Sequence, residues 1–341
     1  MNTDVNNSDQ GVKKSGSTLK RVLKGLVLFV LAILGIILLI GLIPVSTDEL
    51  DSSPNPAGNY AEALQRFEAI QQEEAPIVND ASGSLLMAHG DKSEKVYVLI
   101  HGTTNSPRQW EELGNSLYER GYNVLILRMP HHGLKSHNVS ELKALKAEEL
   151  RDYADGAVDI AAGLGEEITV VGISGGGAVT TWIAQHRPEV DEVLPLSPFF
   201  GVPEVPPFLN TFLMNLASRV PNVTLQNAAE PQREWVYRGE ATRGVAEFMR
   251  LGRNVLRAAE SDAPAVSPVY FVTTAVDDTA DNDYTVELAK KWSEAGAEVD
   301  SFEFESSFDI PHNSIDPAAD AQKKALVYAK ILELLGEDPI Q

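Results

Sequence analysis

The sequence contains no cysteine among its 341 residues. This absence excludes disulfide bonds, thiolate metal sites and a cysteine nucleophile. Basic residues are also scarce, because 28 Lys and Arg stand against 49 Asp and Glu and give a formal net charge of −21. So acidic a protein repels nucleic acid, and we expect no nucleic-acid partner.

The composition otherwise matches an ordinary globular protein, with 43% hydrophobic and 23% charged residues. A chain of this length can hold one large domain or two medium ones. Neither G-x-x-x-x-G-K-[ST] nor G-x-G-x-x-G follows any of its apolar runs. The sequence therefore offers no phosphate-binding loop and predicts no cofactor.

A long uncharged run lies near the N-terminus, from Gly25 to Val45. A helix rises about 1.5 Å per residue, so a run of this length matches the roughly 30 Å hydrocarbon layer of a bilayer. A cleaved signal peptide usually has a shorter apolar core that ends in small residues, and this run lacks such an ending. We therefore predict a transmembrane helix over residues 25–45, with a signal peptide as the alternative.

The charges on the two sides of this run differ in sign. Residues 1–24 hold five basic and two acidic side chains, a net charge of +3, which leaves −24 for the rest of the chain. Lys20, Arg21 and Lys24 precede the run directly, and acidic residues follow it from Asp48 onward. The positive-inside rule then predicts a single-pass protein with its basic tail in the cytoplasm and the remainder outside it.

Residues 46–82 are expected to connect the membrane segment to a folded domain. Residues 46–58 are polar and contain two prolines, which is typical of a linker. Apolar side chains then recur at helical spacing and predict a leading helix over Tyr60–Glu74. The folded domain is expected to occupy residues 83–341.

Short apolar runs alternate with longer amphipathic ones in this domain. The short runs are rich in Val, Ile and Leu, as in strands buried on both faces of a parallel sheet. The alternation predicts an α/β fold with a doubly wound, mostly parallel sheet. The predicted strands are Leu85–His89, Val96–Ile100, Val124–Arg128, Ile168–Val171, Glu192–Leu196, Val269–Thr273 and Glu298–Phe304. The predicted helices are Arg108–Arg120, Ala147–Leu164, Gly176–His186, Asn282–Ala295 and Pro317–Leu335.

The alternation stops between residues 199 and 265. This stretch contains several prolines and two helical segments, Phe208–Arg219 and Gly244–Ala259, and is too long for a simple loop. We predict a helical cap inserted over the carboxyl edge of the sheet, where α/β proteins bind ligands. Seven of its apolar side chains either receive an acyl chain or form the core of the cap: Phe199, Phe200, Phe208, Leu209, Phe212, Leu213 and Met214.

The clearest chemical signal lies in residues 168–186. A buried strand runs into the sequence G-I-S-G-G, and a helix follows at once, which is G-x-S-x-G in its strand–turn–helix context. The sharp turn needs residues without bulk two places before and after the serine, and Gly172 and Gly176 meet that need. Ser174 is therefore the candidate nucleophile, the alternative being a glycine-rich turn with an incidental serine.

A serine hydroxyl needs a base at neutral pH, and the base needs an acid to orient it. Of the seven histidines, only His312 follows the last predicted strand, in a loop before the final helix. Carboxylates follow the preceding strand, and we prefer Asp277 as the acid because its distance from the strand end fits best. Asp278 is the alternative and Asp281 a weaker third. His312 is otherwise a solvated loop histidine.

The turn after the first central strand supplies the remaining part of such a site. It reads LIHGTT over residues 99–104. The backbone N–H groups of Thr103 and Gly175 are predicted to bind the oxyanion of a tetrahedral intermediate. His101 is expected to hold this loop and to take no part in proton transfer.

These segments together resemble the α/β-hydrolase superfamily, in its carboxylesterase, monoacylglycerol-lipase and serine-aminopeptidase-like branch. The resemblance covers roughly residues 83–336, and the chain order Ser174, Asp277, His312 is the order of that fold. It implies an α/β-hydrolase domain with a cap and a Ser-His-Asp triad. The segments that carry it are LIHGTT (99–104), GYNVLILRMPHHG (121–133), VVGISGGG (170–177), the region of Asp277 and IPHNSIDP (310–317).

One loop departs from the family pattern. Residues 121–133 end in HHG, where such families commonly have G-H-G, so His131 replaces the first glycine. Adjacent histidines can suggest a metal site, but no further histidine or paired carboxylate stands at a suitable spacing. We predict no metal and interpret the loop as a wall of the site.

The resemblance implies hydrolysis of a carboxylic ester through an acyl-enzyme. The membrane segment suggests a lipid-like ester as one substrate class, beside other small-molecule esters. A serine aminopeptidase of the same fold stays open, because acidic residues that could bind an amine are abundant. A non-catalytic binding protein or a tethered adaptor on the same scaffold is a further alternative, although such a protein would be expected to lack a triad member.

Overall fold

The computed structural model of the chain describes residues 11–227 and 233–339, with side chains from Thr18 onward. The chain divides into two units, Met1–Pro44 and Val45–Gln341.

The first unit contains helix α1 (Gly11–Leu42). Its segment Thr18–Leu42 is long and apolar enough to cross a membrane. The apolar run continues to residue 45, but the helix ends earlier, because Pro44 has no N–H and disfavours helical backbone in the residue before it. The helix therefore begins before residue 25 and ends at Leu42, three residues before the predicted end of the span at Val45.

The second unit is built on a seven-stranded sheet. Its strand order is β1-β3-β2-β4-β5-β8-β9, and every neighbouring pair is parallel except β1 with β3. All seven predicted strands lie in this sheet, with ends shifted by at most three residues, so the predicted α/β fold is confirmed. The strands of the chain are β1 (Leu85–Met87), β2 (Ser93–Ile100), β3 (Asn123–Ile126), β4 (Gly165–Ile173), β5 (Glu192–Leu196), β6 (Thr224–Gln226), β7 (Gly239–Ala241), β8 (Val269–Thr274) and β9 (Val299–Phe304).

Helices cover both faces of the sheet. Strand β2 shows why its sequence lacks polar alternation: Val96, Val98 and Ile100 face one buried core, and Tyr97 and Leu99 face the other. The helices after α1 are α2 (Tyr60–Glu74), α3 (Glu111–Glu119), α4 (Ala147–Ala161), α5 (Gly175–His186), α6 (Pro207–Ala217), α7 (Thr242–Ala258), α8 (Asn282–Glu294) and α9 (Ala321–Leu334).

The insertion between β5 and β8 differs in part from the predicted helical cap. It contains α6 and α7, as the helical segments indicate, but also the antiparallel pair β6–β7, whose three-residue strands are too short to predict. Helix α7 belongs to the main core, because Phe248, Leu251 and Val255 are buried in the same cluster as the apolar residues of α5.

The segment expected to be a linker is bonded to the domain. The carboxylate of Asp155 accepts hydrogen bonds from Ser52 Oγ (2.6 Å) and Ser53 N–H (2.8 Å), and that of Asp159 accepts from Asn55 N–H (3.0 Å). Arg187 is fully buried and donates to both carboxylates, at 2.7 and 2.5 Å. Polar composition alone suggested a free linker, whereas these buried charges fix the segment against α4.

Arg187→Met is expected to lower the free energy of unfolding by about 3–5 kcal/mol, because two buried carboxylates lose their cation. Lys290→Met is the matched control. It breaks an exposed pair with Glu294 and should cost no more than about 1 kcal/mol. Urea denaturation of both full-length variants in detergent, followed by near-ultraviolet circular dichroism, measures the difference. Equal shifts in the two variants would show that Arg187 does not stabilise the fold in this way.

Candidate active site

Ser174 lies at the sharp turn between β4 and α5. Its backbone has φ 59° and ψ −121°, a strained conformation for a residue with a side chain. A Cβ at Gly172 would lie 2.3 Å from the carbonyl oxygen of Gly176, and a Cβ at Gly176 would lie 2.3 Å from that of Ile100. Glycine is therefore required on both sides, as the motif predicts. Ser174 itself is 6% exposed.

His312, in the loop after β9, and Asp277, after β8, form a pair whose side chains are 10% and 1% exposed. His312 Nδ1 lies 2.8 Å from Asp277 Oδ2, and the other carboxylate oxygen accepts the N–H groups of Thr279 and Ala280. Burial opposes ionisation of Asp277, but the bond and charge of His312 together with these N–H groups outweigh it and lower the pKa of Asp277. An ionised Asp277 fixes the tautomer with the proton on Nδ1, which leaves the lone pair on Nε2.

The neighbouring acids have other partners. Asp278 is exposed, and its carboxylate accepts the hydroxyl of Thr279. Asp281 caps helix α8 by accepting the N–H of Asp283. Of the three carboxylates weighed from the sequence, the structure brings only Asp277 to His312.

The second ring nitrogen of His312 has no partner. Nε2 is buried and makes no hydrogen bond among the described residues, and no hydrogen bond between it and Ser174 Oγ occurs among them. The turn that holds Ser174 and the loop that holds His312 are nonetheless connected through the loop after β2. A Cβ at Gly102 would lie 3.4 Å from Ser174 Cβ, Gly102 N–H donates to Gln109 Oε1, and Gln109 Nε2 donates to Asn313 Oδ1 at 2.7 Å.

The loop after β2 orients one backbone donor. Gly102 O accepts from His101 Nδ1 (2.9 Å) and from the N–H of Asn105 (3.2 Å). In a trans peptide the next N–H points the opposite way, so fixing this carbonyl also fixes the N–H of Thr103. That N–H has no acceptor among the described residues. A Cβ at Gly175 would lie 2.6 Å from Thr103 Cγ2, so the two predicted donors are close neighbours.

Two buried histidines support this loop. His101 donates from Nδ1 and accepts the N–H of Met129 at Nε2, which is the pattern of a neutral imidazole, and burial holds its pKa well below the usual range. His132 lies between the carbonyl oxygens of Pro130 (2.8 Å) and Thr103 (2.7 Å), and burial lowers its pKa to about 4. Both are therefore structural groups at neutral pH.

His131 occupies the position where glycine is common in related loops. Its backbone has φ 64°, the left-handed conformation that favours glycine, and its Nε2 lies 3.2 Å from the carboxylate of Glu149. His131 and His132 thus turn to different partners.

Glu240 on β7 was not singled out from the sequence. Its carboxylate accepts the hydroxyl of Thr103 at 3.3 Å, and burial raises its pKa to about 7 against the lowering effect of that bond. In a chain with 49 acidic residues, nothing in the local pattern distinguishes this one.

Residues 233–237 of the insertion contact the loops that form the candidate site. The N–H of Tyr237 donates to Thr104 O at 2.8 Å, and Arg233 lies 3.6 Å from the carboxylate of Asp316, beyond His312. Arg108 stacks over the ring of Trp235 at 5.4 Å. Residues 233–237 therefore contact both the loop after β2 and the loop that holds His312.

Comparisons with known proteins agree with this architecture. The family model described as "Alpha/beta hydrolase family" matches residues 97–311. A thermostable monoacylglycerol lipase of Bacillus sp. (strain H-257) is 25% identical over 114 residues, which cover 32% of this chain and 42% of the lipase. The match thus spans less than half the length of that relative.

Solved structures resemble the fold at low identity. A structure described as a monoacylglycerol lipase of Paleococcus ferrophilus aligns with a TM-score of 0.57 and 18% identity, over 74% of this chain and 97% of that one. A structure from a study of the metagenome-derived lipolytic enzymes LipS and LipT aligns with a TM-score of 0.55 and 18% identity, over 76% and 99%. Because the family model spans more than half of the sequence, from the second strand of the sheet to the loop before His312, this chain belongs to the alpha/beta hydrolase family.

Proposed function

We propose that the chain is a serine hydrolase that cleaves carboxylic esters through an acyl-enzyme. The observation that carries the proposal is the His312–Asp277 hydrogen bond, which leaves the buried His312 Nε2 without a partner among the described residues, at the same edge of the sheet as Ser174. A ring nitrogen with a free lone pair, oriented by an ionised carboxylate, is what a serine nucleophile requires.

In this proposal Ser174 Oγ attacks the ester carbonyl and transfers its proton to His312 Nε2. Asp277 stabilises the resulting imidazolium, and the N–H groups of Thr103 and Gly175 stabilise the oxyanion. Collapse of the intermediate returns the proton to the leaving alcohol, and water then repeats the sequence on the acyl-enzyme. Hydrogen bonds of this kind often tighten only when substrate is bound, which is consistent with the missing Ser174–His312 bond.

A lipid-like ester is the proposed substrate class. Relatives named as monoacylglycerol lipases and lipolytic enzymes support it. The alternative of an aminopeptidase needs a permanently ionised carboxylate to bind the substrate's amine. Glu240, the carboxylate that contacts Thr103, has a pKa raised to about 7 by burial, so it is only partly ionised at neutral pH in the absence of an amine.

Membrane anchoring through α1 is part of the proposal. The basic residues before the apolar segment and the acidic residues after it favour a cytoplasmic N-terminus and an extracytoplasmic domain.

Labelling with a fluorophosphonate probe tests the nucleophile and the acid together. Ser174→Ala should abolish labelling and ester hydrolysis, and Asp277→Asn should lower kcat by about 10⁴-fold, as in other Ser-His-Asp enzymes. Asp278→Asn, the matched neighbour, should stay within about two-fold of the wild type. Labelling that persists in Ser174→Ala, or equal losses in the two aspartate variants, would refute these roles.

Glu240 should give the reaction an alkaline limit. Ionisation above pH 7 places a negative charge beside the proposed oxyanion hole, so we expect Glu240→Gln to gain activity relative to the wild type by about 3–10-fold between pH 6 and pH 8.5. The pH profile of kcat/KM for a soluble ester measures this ratio. The control variant Glu68→Gln, at an exposed position of α2, should show the same activity relative to the wild type at both pH values. Parallel profiles for the wild type and Glu240→Gln would exclude the charge effect.

The orientation has a direct test. Protease added to intact spheroplasts of an expressing bacterium should digest the domain and leave the N-terminal tail protected. Full protection of the domain, reversed by lysis of the spheroplasts, would contradict the proposed orientation.

A further inference from the structure

Helix α6 has its polar and apolar sides reversed. Asn210, Met214 and Asn215 are buried, whereas Phe208 is 76% exposed and Leu213 is 40% exposed. At about 100° per residue, five large apolar side chains, two of them exposed and three half-buried, lie within one arc of about 140°. We call this the apolar face of α6, and it consists of Phe208, Leu209, Phe212, Leu213 and Leu216.

The inward asparagines are structural. Asn210 accepts the N–H of Val202 at 3.0 Å and donates to the carbonyls of Val202 and Val205. Asn215 Oδ1 accepts the N–H of Val45 at 3.0 Å. These bonds fix the rotation of the helix and so leave Phe208 and Leu213 facing outward. Of the cap residues that could receive an acyl chain, only Phe199, Phe200 and Met214 are fully buried.

The helix that carries the apolar face is itself uncharged. Residues 205–218 contain no Asp, Glu, Lys, Arg or His, in a chain that is 23% charged. Val202, which is bonded to Asn210, adds another exposed apolar side chain. An outward cluster of large apolar residues on so acidic a protein is typical of an interaction site.

The chain itself indicates what covers this face. The apolar helix Thr18–Leu42 ends three residues before Val45, a distance of at most about 11 Å along an extended chain. Val45 is the residue held by Asn215 of α6, and Ser46 and Thr47 are then bonded to Arg250, Asn254 and Arg257 of α7. A chain that leaves a bilayer at Leu42 therefore meets α6 first.

We propose that the apolar face of α6 docks on the lipid bilayer, inserting Phe208 and Leu213 among the lipids. This inference rests on the proposed anchoring of the chain and deepens it. The geometry is that of an interfacial helix, whose apolar side lies in the boundary between headgroups and acyl chains. Docking holds the domain close to esters dissolved in the membrane.

The absence of cysteine allows a single probe per chain. Leu213→Cys and its matched control Leu326→Cys, an exposed leucine (44%) of α9 on the other side of the sheet, are labelled with NBD. The full chain is placed in phosphatidylcholine nanodiscs that hold one copy each. We expect a blue-shifted emission at residue 213, quenched at least about two-fold by nitroxides on the lipid acyl chains, and neither effect at residue 326.

Water-like emission at both positions would overturn the docking. A blue shift at residue 213 without lipid quenching, or one that appears only with two copies per disc, would also overturn it and would identify a protein contact instead. If the chain stays in the discs after an alkaline wash, the anchor is intact and the failure concerns only the docking of α6. Fluorophosphonate labelling of Ser174 separates it from a failure of the proposed chemistry.

A functional arm uses Phe208→Ser combined with Leu213→Ser. Hydrolysis of an ester embedded in phosphatidylcholine vesicles should fall about 3–10-fold, while hydrolysis of a soluble short ester stays unchanged. Equal rates of the variant and the wild type on the embedded ester would contradict the proposal.

Discussion

The left-handed backbone of Ser174 is the constraint on which the site depends. It turns the chain from β4 into α5 within one residue and leaves no room for a side chain at Gly172 or Gly176. Such strain persists only where surrounding bonds hold it. The N–H of Ser174 donates to Leu196 O, and its carbonyl accepts the N–H of Phe199. Strand β5 and the residues after it therefore brace the serine.

The sheet could be predicted because its strands are buried on both faces and read as uninterrupted apolar runs. The candidate site followed from the same logic, since the carboxyl ends of parallel strands meet at one edge. The choice between Asp277 and Asp278 was less certain from the sequence, because both follow the strand end. The structure distinguishes them physically: two backbone N–H groups and His312 hold Asp277 inward, whereas Asp278 remains exposed.

Other features depend on contacts that local pattern does not encode. The Asp155–Ser53 bond joins residues 102 positions apart, and the Thr103–Glu240 bond joins residues 137 positions apart. Helical spacing likewise identifies the apolar side of α6 but not the direction in which it points. That direction follows from Asn210 and Asn215, whose buried side chains bond to backbone groups of the domain.

Two parts of the domain hold Thr103 in the loop after β2, one through its backbone and the other through its side chain. His101 fixes the Gly102–Thr103 peptide from the core, and it does so only while neutral, because a proton on Nε2 would face the N–H of Met129. The side chain of Thr103 instead meets Glu240 of the insertion. A displacement of the insertion would therefore move the carboxylate of Glu240 away from the hydroxyl of Thr103. The N–H of Thr103, which is proposed to bind the oxyanion, would stay where His101 holds it.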